Sequence, residues 1–261
     1  MERELNVRVL GEGDSMVVFC HGLFGRGKNW AGIAAQLGEP SLLIDLPNHG
    51  ESYWTADFSY LDMADAVAAT IRRRVPAGAH TTLVGHSMGG KVAMMLALGH
   101  PGLISRLAVV DITPAGSAVG TGFRPLVAAM RGLDLGALTS RGDADRALAQ
   151  QIPDAGVRQF LLQNLRHHKR SWRWQMNLDL LGDQLDQIGS WPDLGLPSYP
   201  GPCMWIKGAD SPYITPDDLP VMRELFPAVR LVTVKNAGHW VHADQPEVVV
   251  AALRALLAQP V

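Results

Sequence analysis

Short apolar runs recur along the chain and alternate with longer stretches in which apolar residues return every three or four positions. The runs are rich in β-branched residues, as is typical of strands that are buried on both faces. They lie at residues 16–20, 41–46, 81–86, 107–112, 203–208 and 230–234. The intervening stretches predict helices at 28–37, 60–74, 88–99, 216–225 and 246–258. This alternation predicts an α/β protein with a mostly parallel sheet covered by helices on both faces.

The alternation stops between Ile112 and Cys203. The residues between them contain helical patterns such as RPLVAAMRGL and GVRQFLLQNLRHH, and no pattern typical of a strand. Such an insertion follows the carboxyl end of a strand, so it would cover the crevice in which parallel sheets bind ligands. We therefore expect a helical cap of residues 114–197 on a core of residues 1–113 and 198–261.

The composition is that of a globular protein with a large core: 47% of its 261 residues are hydrophobic and 18% are charged. A net charge of −2 gives no general attraction to nucleic acid or to an anionic membrane. The charged N-terminus and the lack of long apolar runs predict a cytoplasmic protein without membrane insertion. We expect a monomer or a homodimer. Cys20 and Cys203 lie in or beside apolar runs, which favours buried free thiols over a disulfide or a metal site.

The segment LVGHSMGGK, residues 83–91, places Ser87 between a predicted strand and a predicted helix. A serine at such a junction, with glycines on both sides, is typical of a nucleophile held on a sharp turn. The glycines let the helix approach the strand, and the N–H groups that begin the helix face the serine oxygen. A phosphate-binding loop or a merely tight loop is the alternative. We predict that Ser87 is a nucleophile.

A serine nucleophile needs a base and an acid that orients it. Among the nine histidines, His239 follows the last predicted strand and precedes the last helix, where the base belongs in the order Ser, acid, His. His242 is the competitor, and we expect it to pack instead. Asp111 ends one strand and Asp210 follows the next, so either carboxylate could reach the imidazole.

An oxyanion hole requires two backbone donors. One is expected from Met88, directly after the nucleophile, and the other from Leu23 in the loop CHGLFGRG. Phe24 would then line the acyl pocket. Trp172 and Trp174 are further apolar candidates for binding a hydrophobic acyl group.

The segment RHHKRSWRW, residues 166–174, mixes tryptophans with basic residues and could bind nucleic acid or the phosphates of a coenzyme A thioester. The weakly acidic chain favours a solvated turn between two cap helices, with the tryptophans packed inward. His167 and His168 are excluded as a metal pair, because adjacent helix positions face different ways. The basic residues are Arg166, Lys169, Arg170 and Arg173.

Six segments together resemble the α/β-hydrolase superfamily over almost the whole chain: HGLFG, DLPNHGES, GHSMGGK, VVDITP, GADSPY and AGHWVHADQP. In detail they are similar to its YbfF-type esterases, small serine hydrolases of acyl esters and thioesters. The resemblance implies that Ser87 is the nucleophile, that His239 is the base, and that the amides of Leu23 and Met88 form the oxyanion hole.

The resemblance also bears on the acid. Superfamily members that use the later strand carry an Asp three residues after the Gly that ends it, and here that count from Gly208 reaches Ser211. Relatives in the subgroup share VDI-x-P and use the earlier Asp. The resemblance therefore favours Asp111 and keeps Asp210 as the alternative.

These features predict a metal-free and cofactor-free serine esterase that acts on a small-molecule acyl ester through an acyl-enzyme. Hydrolysis of a thioester, an amide or a carbon–carbon bond is the alternative within enzymes. A catalytically silent ligand receptor is the alternative outside them, since a fold does not dictate a function. The paired serine and histidine weigh against that reading.

Overall fold

The computed structural model describes residues 3–116, 119–169, 171–192 and 195–260, with the backbone alone at 119–121. Its strands are β1 (Val7–Leu10), β2 (Ser15–Cys20), β3 (Ser41–Ile44), β4 (His80–His86), β5 (Arg106–Val110), β6 (Leu165–His168), β7 (Ser171–Trp174), β8 (Cys203–Gly208) and β9 (Val229–Val234). Its α-helices are α1 (Ala31–Leu37), α2 (Tyr60–Arg74), α3 (Met88–Gly99), α4 (Val119–Arg131), α5 (Arg141–Leu148), α6 (Ala155–Leu162), α7 (Leu178–Asp183), α8 (Leu185–Gly189), α9 (Leu219–Leu225), α10 (Val241–Asp244) and α11 (Pro246–Leu257).

Seven strands form one sheet in the order β1-β3-β2-β4-β5-β8-β9, in which only β1 is antiparallel to its neighbour. The mostly parallel sheet predicted from the apolar runs is confirmed, and each predicted run overlaps one of its strands. The structure adds β1, VRVL, at the edge. Its burial is only partial, so its sequence lacks the continuous apolar run by which the inner strands are recognised.

The sheet separates two apolar layers, because successive residues of a strand point to opposite faces. In β2, Val18 and Cys20 join a cluster that contains α2 and α3, whereas Val17 and Phe19 join a second cluster that contains α1 and α11. Helices therefore cover both faces, as predicted. Cys20 and Cys203 are buried free thiols, also as predicted, and burial raises the pKa of each to about 12.

The residues between β5 and β8 are not all helical, which corrects the prediction for this segment. Besides α4 to α8 they contain an antiparallel hairpin of β6 and β7, in which Leu165 pairs with Trp174 and His167 pairs with Trp172. The predicted solvated turn between helices was wrong, because Leu165–His168 and Ser171–Trp174 pair as two short antiparallel strands. Arg170 lies outside the described residues.

The hairpin changes the reason for excluding a metal site at its two histidines. His167 and His168 are adjacent on a strand, where successive side chains point to opposite faces. Within the part of the chain that the structure describes, no group of three or more His, Cys, Asp or Glu side chains could hold a metal ion. None of the described helices is long and apolar enough to cross a bilayer.

Lys91 of α3 forms hydrogen bonds with residues near both ends of the predicted cap. Its side chain is fully buried, and Nζ donates to the carbonyl oxygens of Ala115 (3.1 Å), Gly189 (2.8 Å) and Ser190 (2.7 Å). Three carbonyls match the three N–H bonds of an ammonium group. Burial lowers the pKa of Lys91 from 10.5 to about 7. The segment between β5 and β8 is thus held to the helix that begins directly after Ser87.

Candidate active site

The predicted site residues come together at the carboxyl ends of neighbouring parallel strands. Phe24 lies in the loop after β2, Ser87 directly follows β4, and Asp111 directly follows β5. All three have positive φ, at 60°, 51° and 52° respectively. This backbone region is strained for residues with a Cβ, and such strain is often found at functional sites. His239 reaches the same place from the loop between β9 and α10.

Close packing at the turn of Ser87 explains the glycines of GHSMGGK. A Cβ on Gly85 would lie 2.2 Å from the carbonyl oxygen of Gly89, and one on Gly89 would lie 2.3 Å from that of His21. Neither distance is possible for a real side chain. The glycines therefore let α3 lie against β4 and against the end of β2, as the sequence predicted.

A chain of hydrogen bonds joins the serine, histidine and aspartate. His239 Nε2 lies 3.0 Å from Ser87 Oγ, and His239 Nδ1 lies 2.8 Å from Asp111 Oδ2. A carboxylate only accepts, so Nδ1 carries the proton and Nε2 is free to accept one from the serine hydroxyl. Ser87 and Asp111 are buried, which excludes water from much of the chain of bonds. This arrangement can deprotonate a serine hydroxyl.

Of the two candidate acids, the structure brings Asp111 and not Asp210 to the imidazole. Asp111 is fully buried, and its Oδ1 accepts from the Gly208 N–H at 3.0 Å. Asp210 is exposed, and its N–H donates to the carbonyl oxygen of Ala237. The buried hydroxyl of Ser211 donates to Asp111 Oδ2. Ser211 thus supports the carboxylate from the position at which the superfamily pattern expects an acid.

The two predicted oxyanion donors are free in the structure. Within the described residues, neither the N–H of Leu23 nor that of Met88 has a hydrogen-bond acceptor. Met88 is the first residue of α3, where a helix leaves its N–H unpaired. The loop of Leu23 lies against the nucleophile, since a Cβ on Gly22 would be 3.2 Å from Ser87 Cβ. Both donors are therefore available to a developing oxyanion.

Phe24 lies where the loop CHGLFGRG, which we call the oxyanion loop for its predicted role, meets the segment between β5 and β8. Its ring is fully buried and contacts Phe123 of α4, with 5.9 Å between the centroids. Its carbonyl oxygen accepts from Asn164 Nδ2 at 2.7 Å. Trp174 is buried in the same apolar cluster and Trp172 packs against it, so both tryptophans face inward, as expected. Neither indole N–H has a partner among the described residues.

Two supporting residues escaped the sequence analysis. Tyr213 stacks on His239, with 4.0 Å between the ring centroids and 28° between the planes. His86 Nε2 lies 2.8 Å from the carbonyl oxygen of His239 and, as the donor, holds its backbone. Both residues lie within quoted motifs, GADSPY and GHSMGGK. The local pattern of these motifs does not predict their roles, because the contacts of Tyr213 and His86 are with a distant segment of the chain.

His242, the rejected candidate for the base, packs beside the site. Its ring stacks on Trp30 at 4.5 Å and contacts the edge of His86 at 4.6 Å. Its Nδ1 is buried and has no partner within the described residues. Burial lowers the pKa of His242 to about 4 and that of His86 well below its ordinary value. Neutral imidazoles therefore surround His239.

His242→Phe is expected to retain ester turnover and to flatten the loss of stability in acid. The folded pKa of about 4 lies below the unfolded value near 6.5, so the unfolded chain binds an extra proton between these values. The free energy of unfolding of the wild type therefore falls as pH drops through this window. We expect the variant to lose about 2 kcal/mol less between pH 7 and 5. Urea unfolding at both pH values measures the difference. Collapse of turnover would instead identify His242 as the base.

The comparisons with known proteins agree with this fold. Residues 17–252 match the alpha/beta hydrolase family, so the chain belongs to this family. Among curated proteins, it is 38% identical to the mouse (Mus musculus) sn-1-specific diacylglycerol lipase ABHD11 over 93% of this chain and 80% of that protein. It is 31% identical to esterase YbfF of Escherichia coli strain K12, over 94% of this chain and 93% of that protein.

Among solved structures, a marine microorganism esterase superposes with a TM-score of 0.91 at 32% identity. The match covers 98% of this chain and 100% of the other. The predicted α/β-hydrolase fold and the resemblance to YbfF-type esterases are confirmed. The predicted enzyme class, a carboxylic ester hydrolase, is confirmed at the level of class by these relatives.

Proposed function

We propose that the protein is a serine carboxylesterase that uses Ser87, His239 and Asp111 as its catalytic triad. The observation that carries the proposal is the chain of hydrogen bonds from Asp111 through His239 to Ser87. Two unpaired backbone donors, Leu23 and Met88, support it. The serine oxygen attacks the ester carbonyl while His239 Nε2 takes its proton, and the carbonyl oxygen becomes an oxyanion bound by the two amides.

The second half of the cycle uses the same groups. The imidazolium of His239 returns its proton to the departing alcohol, which leaves an acyl group on Ser87. Water then attacks this acyl-enzyme, with His239 as base, and releases the carboxylic acid and the free serine. Asp111 keeps its charge throughout and stabilises the imidazolium. No metal or organic cofactor takes part in these steps.

The substrate that fits best is a small to medium acyl ester with an apolar acyl group. Phe24, in the oxyanion loop, supports an apolar acyl pocket. Trp172 and Trp174 are the other candidates for contact with the acyl group. The diacylglycerol lipase among the relatives supports an ester of an acyl chain. We place this activity in the cytoplasm, in a monomer or homodimer that binds no nucleic acid and does not insert into a membrane.

Labelling by a fluorophosphonate probe tests the proposal. We expect one labelled peptide, which contains Ser87, because only a serine activated by a base attacks phosphorus rapidly. Nitrophenyl esters from acetyl to lauroyl, measured beside acyl-coenzyme A thioesters of the same lengths, then define the acyl group and the bond. An unlabelled wild type that hydrolyses no ester would refute the proposal, and higher kcat/KM on thioesters throughout would replace esterase by thioesterase.

A further inference from the structure

Two buried histidines near the site have no role in the proposed mechanism. His21 follows β2 in the segment HGLFG, and His49 lies in the segment NHG after β3. Both side chains are almost completely buried, and their rings meet edge to face with 4.9 Å between the centroids. They thus join the oxyanion loop to the neighbouring loop at the same end of the sheet.

Each histidine accepts a hydrogen bond from the backbone of the other's loop. His21 Nε2 accepts from the Leu46 N–H at 3.0 Å, and His49 Nε2 accepts from the Phe24 N–H at 3.2 Å. The Nδ1 atoms face carbonyl oxygens of their own loops, Gly22 for His21 at 2.8 Å and Pro47 for His49 at 2.9 Å. Each loop therefore donates a backbone hydrogen bond to the histidine of the other loop.

This pattern fixes the protonation of both rings. A carbonyl oxygen cannot donate, so each Nδ1 must carry a proton, and a backbone N–H cannot accept, so each Nε2 must lack one. Burial lowers the pKa of both imidazoles, that of His49 to about 3. Of the charged groups that face them, Asp45 raises both pKa values and Arg26 lowers that of His21.

The bond from Phe24 bears directly on the oxyanion hole. The Phe24 N–H is engaged by His49, whereas the N–H of Leu23, the residue before it, has no acceptor within the described residues. Phe24 takes positive φ, and the Gly25 N–H closes a turn onto the carbonyl oxygen of Gly22 at 2.9 Å. A tight turn around a strained residue needs support from outside, which the two imidazoles give.

We propose that His21 and His49 form a reciprocal clamp that positions the Leu23 N–H as an oxyanion donor. In this role they are positioning residues, neutral acceptors of hydrogen bonds that do not touch the substrate. The proposal rests on the proposed esterase function of the same site. It explains why the loops HGLFG and NHG each carry a buried histidine at this point.

Removing one acceptor of the clamp tests its effect on catalysis. In His49→Leu the Phe24 N–H loses its partner and the oxyanion loop shifts, so kcat should fall about 10- to 100-fold with little change in KM. His49→Gln can still present an acceptor and should recover part of the loss. Inhibition by a trifluoromethyl ketone, whose adduct carries an oxyanion, should weaken in parallel with kcat/KM. A loss of folding stability alone would not weaken it in this way.

A control variant and an NMR measurement on the wild type accompany this test. His80→Gln is the control, because His80 is exposed at the opposite end of β4 and should leave kcat unchanged. The ring nitrogens of the wild type are observed by long-range nitrogen–proton NMR, which needs no activity or variant. We expect both His21 and His49 to show the neutral Nδ1–H form at pH 8, and His49 to keep it down to pH 5.

The results separate the clamp from the esterase function. The Nε2–H form in either ring, or protonation of His49 above pH 5, would overturn the clamp, as would an unchanged kcat in a folded His49→Leu. Should His49→Leu fail to fold, His49→Gln and the spectrum of the wild type decide. A wild type with the expected tautomers but no labelling at Ser87 and no hydrolysis would refute the esterase function instead.

Discussion

Ser87→Ala is expected to lower kcat for ester hydrolysis by on the order of 10⁶, the loss typical of removing a serine nucleophile. The change deletes one oxygen atom and leaves the backbone at the turn unaltered, since Ala adopts the same conformation about as readily as Ser. The amides of Leu23 and Met88 remain in place. Ester binding should therefore persist, and the residual rate should reflect the oxyanion hole without an acyl-enzyme.

Pre-steady-state measurements with a nitrophenyl ester in excess over the enzyme test this prediction, because they detect the burst of acyl-enzyme formation directly. Wild type should show a burst and Ser87→Ala none. Ser105→Ala is the matched control, since Ser105 lies just before β5, at the other end of the sheet. A Ser87→Ala variant that retains a burst, or more than about one-hundredth of the wild-type kcat, would contradict a nucleophilic role for this serine.

The sequence predicts the inner sheet and the turn of Ser87 because both depend on local pattern. Strands buried on both faces must be continuous apolar runs, and the glycines of GHSMGGK are required by contacts next to the turn. The edge strand β1 and the hairpin strands β6 and β7 are not buried on both faces, so they need not be continuous apolar runs. Their sequences mix exposed and buried positions within four residues, which is too short for a clear period.

The surroundings of the histidine could not be predicted in the same way. Tyr213 stacks on His239 across 26 positions of sequence, and Ser211 donates to Asp111 across 100. Neither contact leaves a periodic signal. The choice between Asp111 and Asp210 has the same origin, because both follow strands and only the packing of β5 against β8 decides which carboxylate turns inward. For Ser211, the local signal is its position three residues after Gly208, where other members of the superfamily carry the acid.

Asp111→Asn is expected to lower kcat about 10⁴-fold, as loss of the orienting carboxylate does in other triads. An amide at this position can donate to Nδ1 and so favours the tautomer in which Nε2 carries the proton. His239 then cannot accept the proton of Ser87. The matched variant Asp210→Asn alters an exposed carboxylate next in sequence to Ser211 and should keep nearly normal turnover. Steady-state kinetics of both variants on one ester measure the contrast.

Position 211 offers a sharper test of the same assignment. The hydroxyl of Ser211 donates to the carboxylate of Asp111, so a carboxylate introduced by Ser211→Asp would lie beside the place from which Asp111 acts. In the Asp111→Asn background this second change should restore part of the lost kcat, because it supplies the acid from the later strand. In the wild-type background it should lower kcat, since two buried carboxylates at one site repel and one must hold a proton. Near-normal turnover in Asp111→Asn, with collapse in Asp210→Asn, would show that the exposed aspartate is the acid and that the imidazole turns toward it during catalysis.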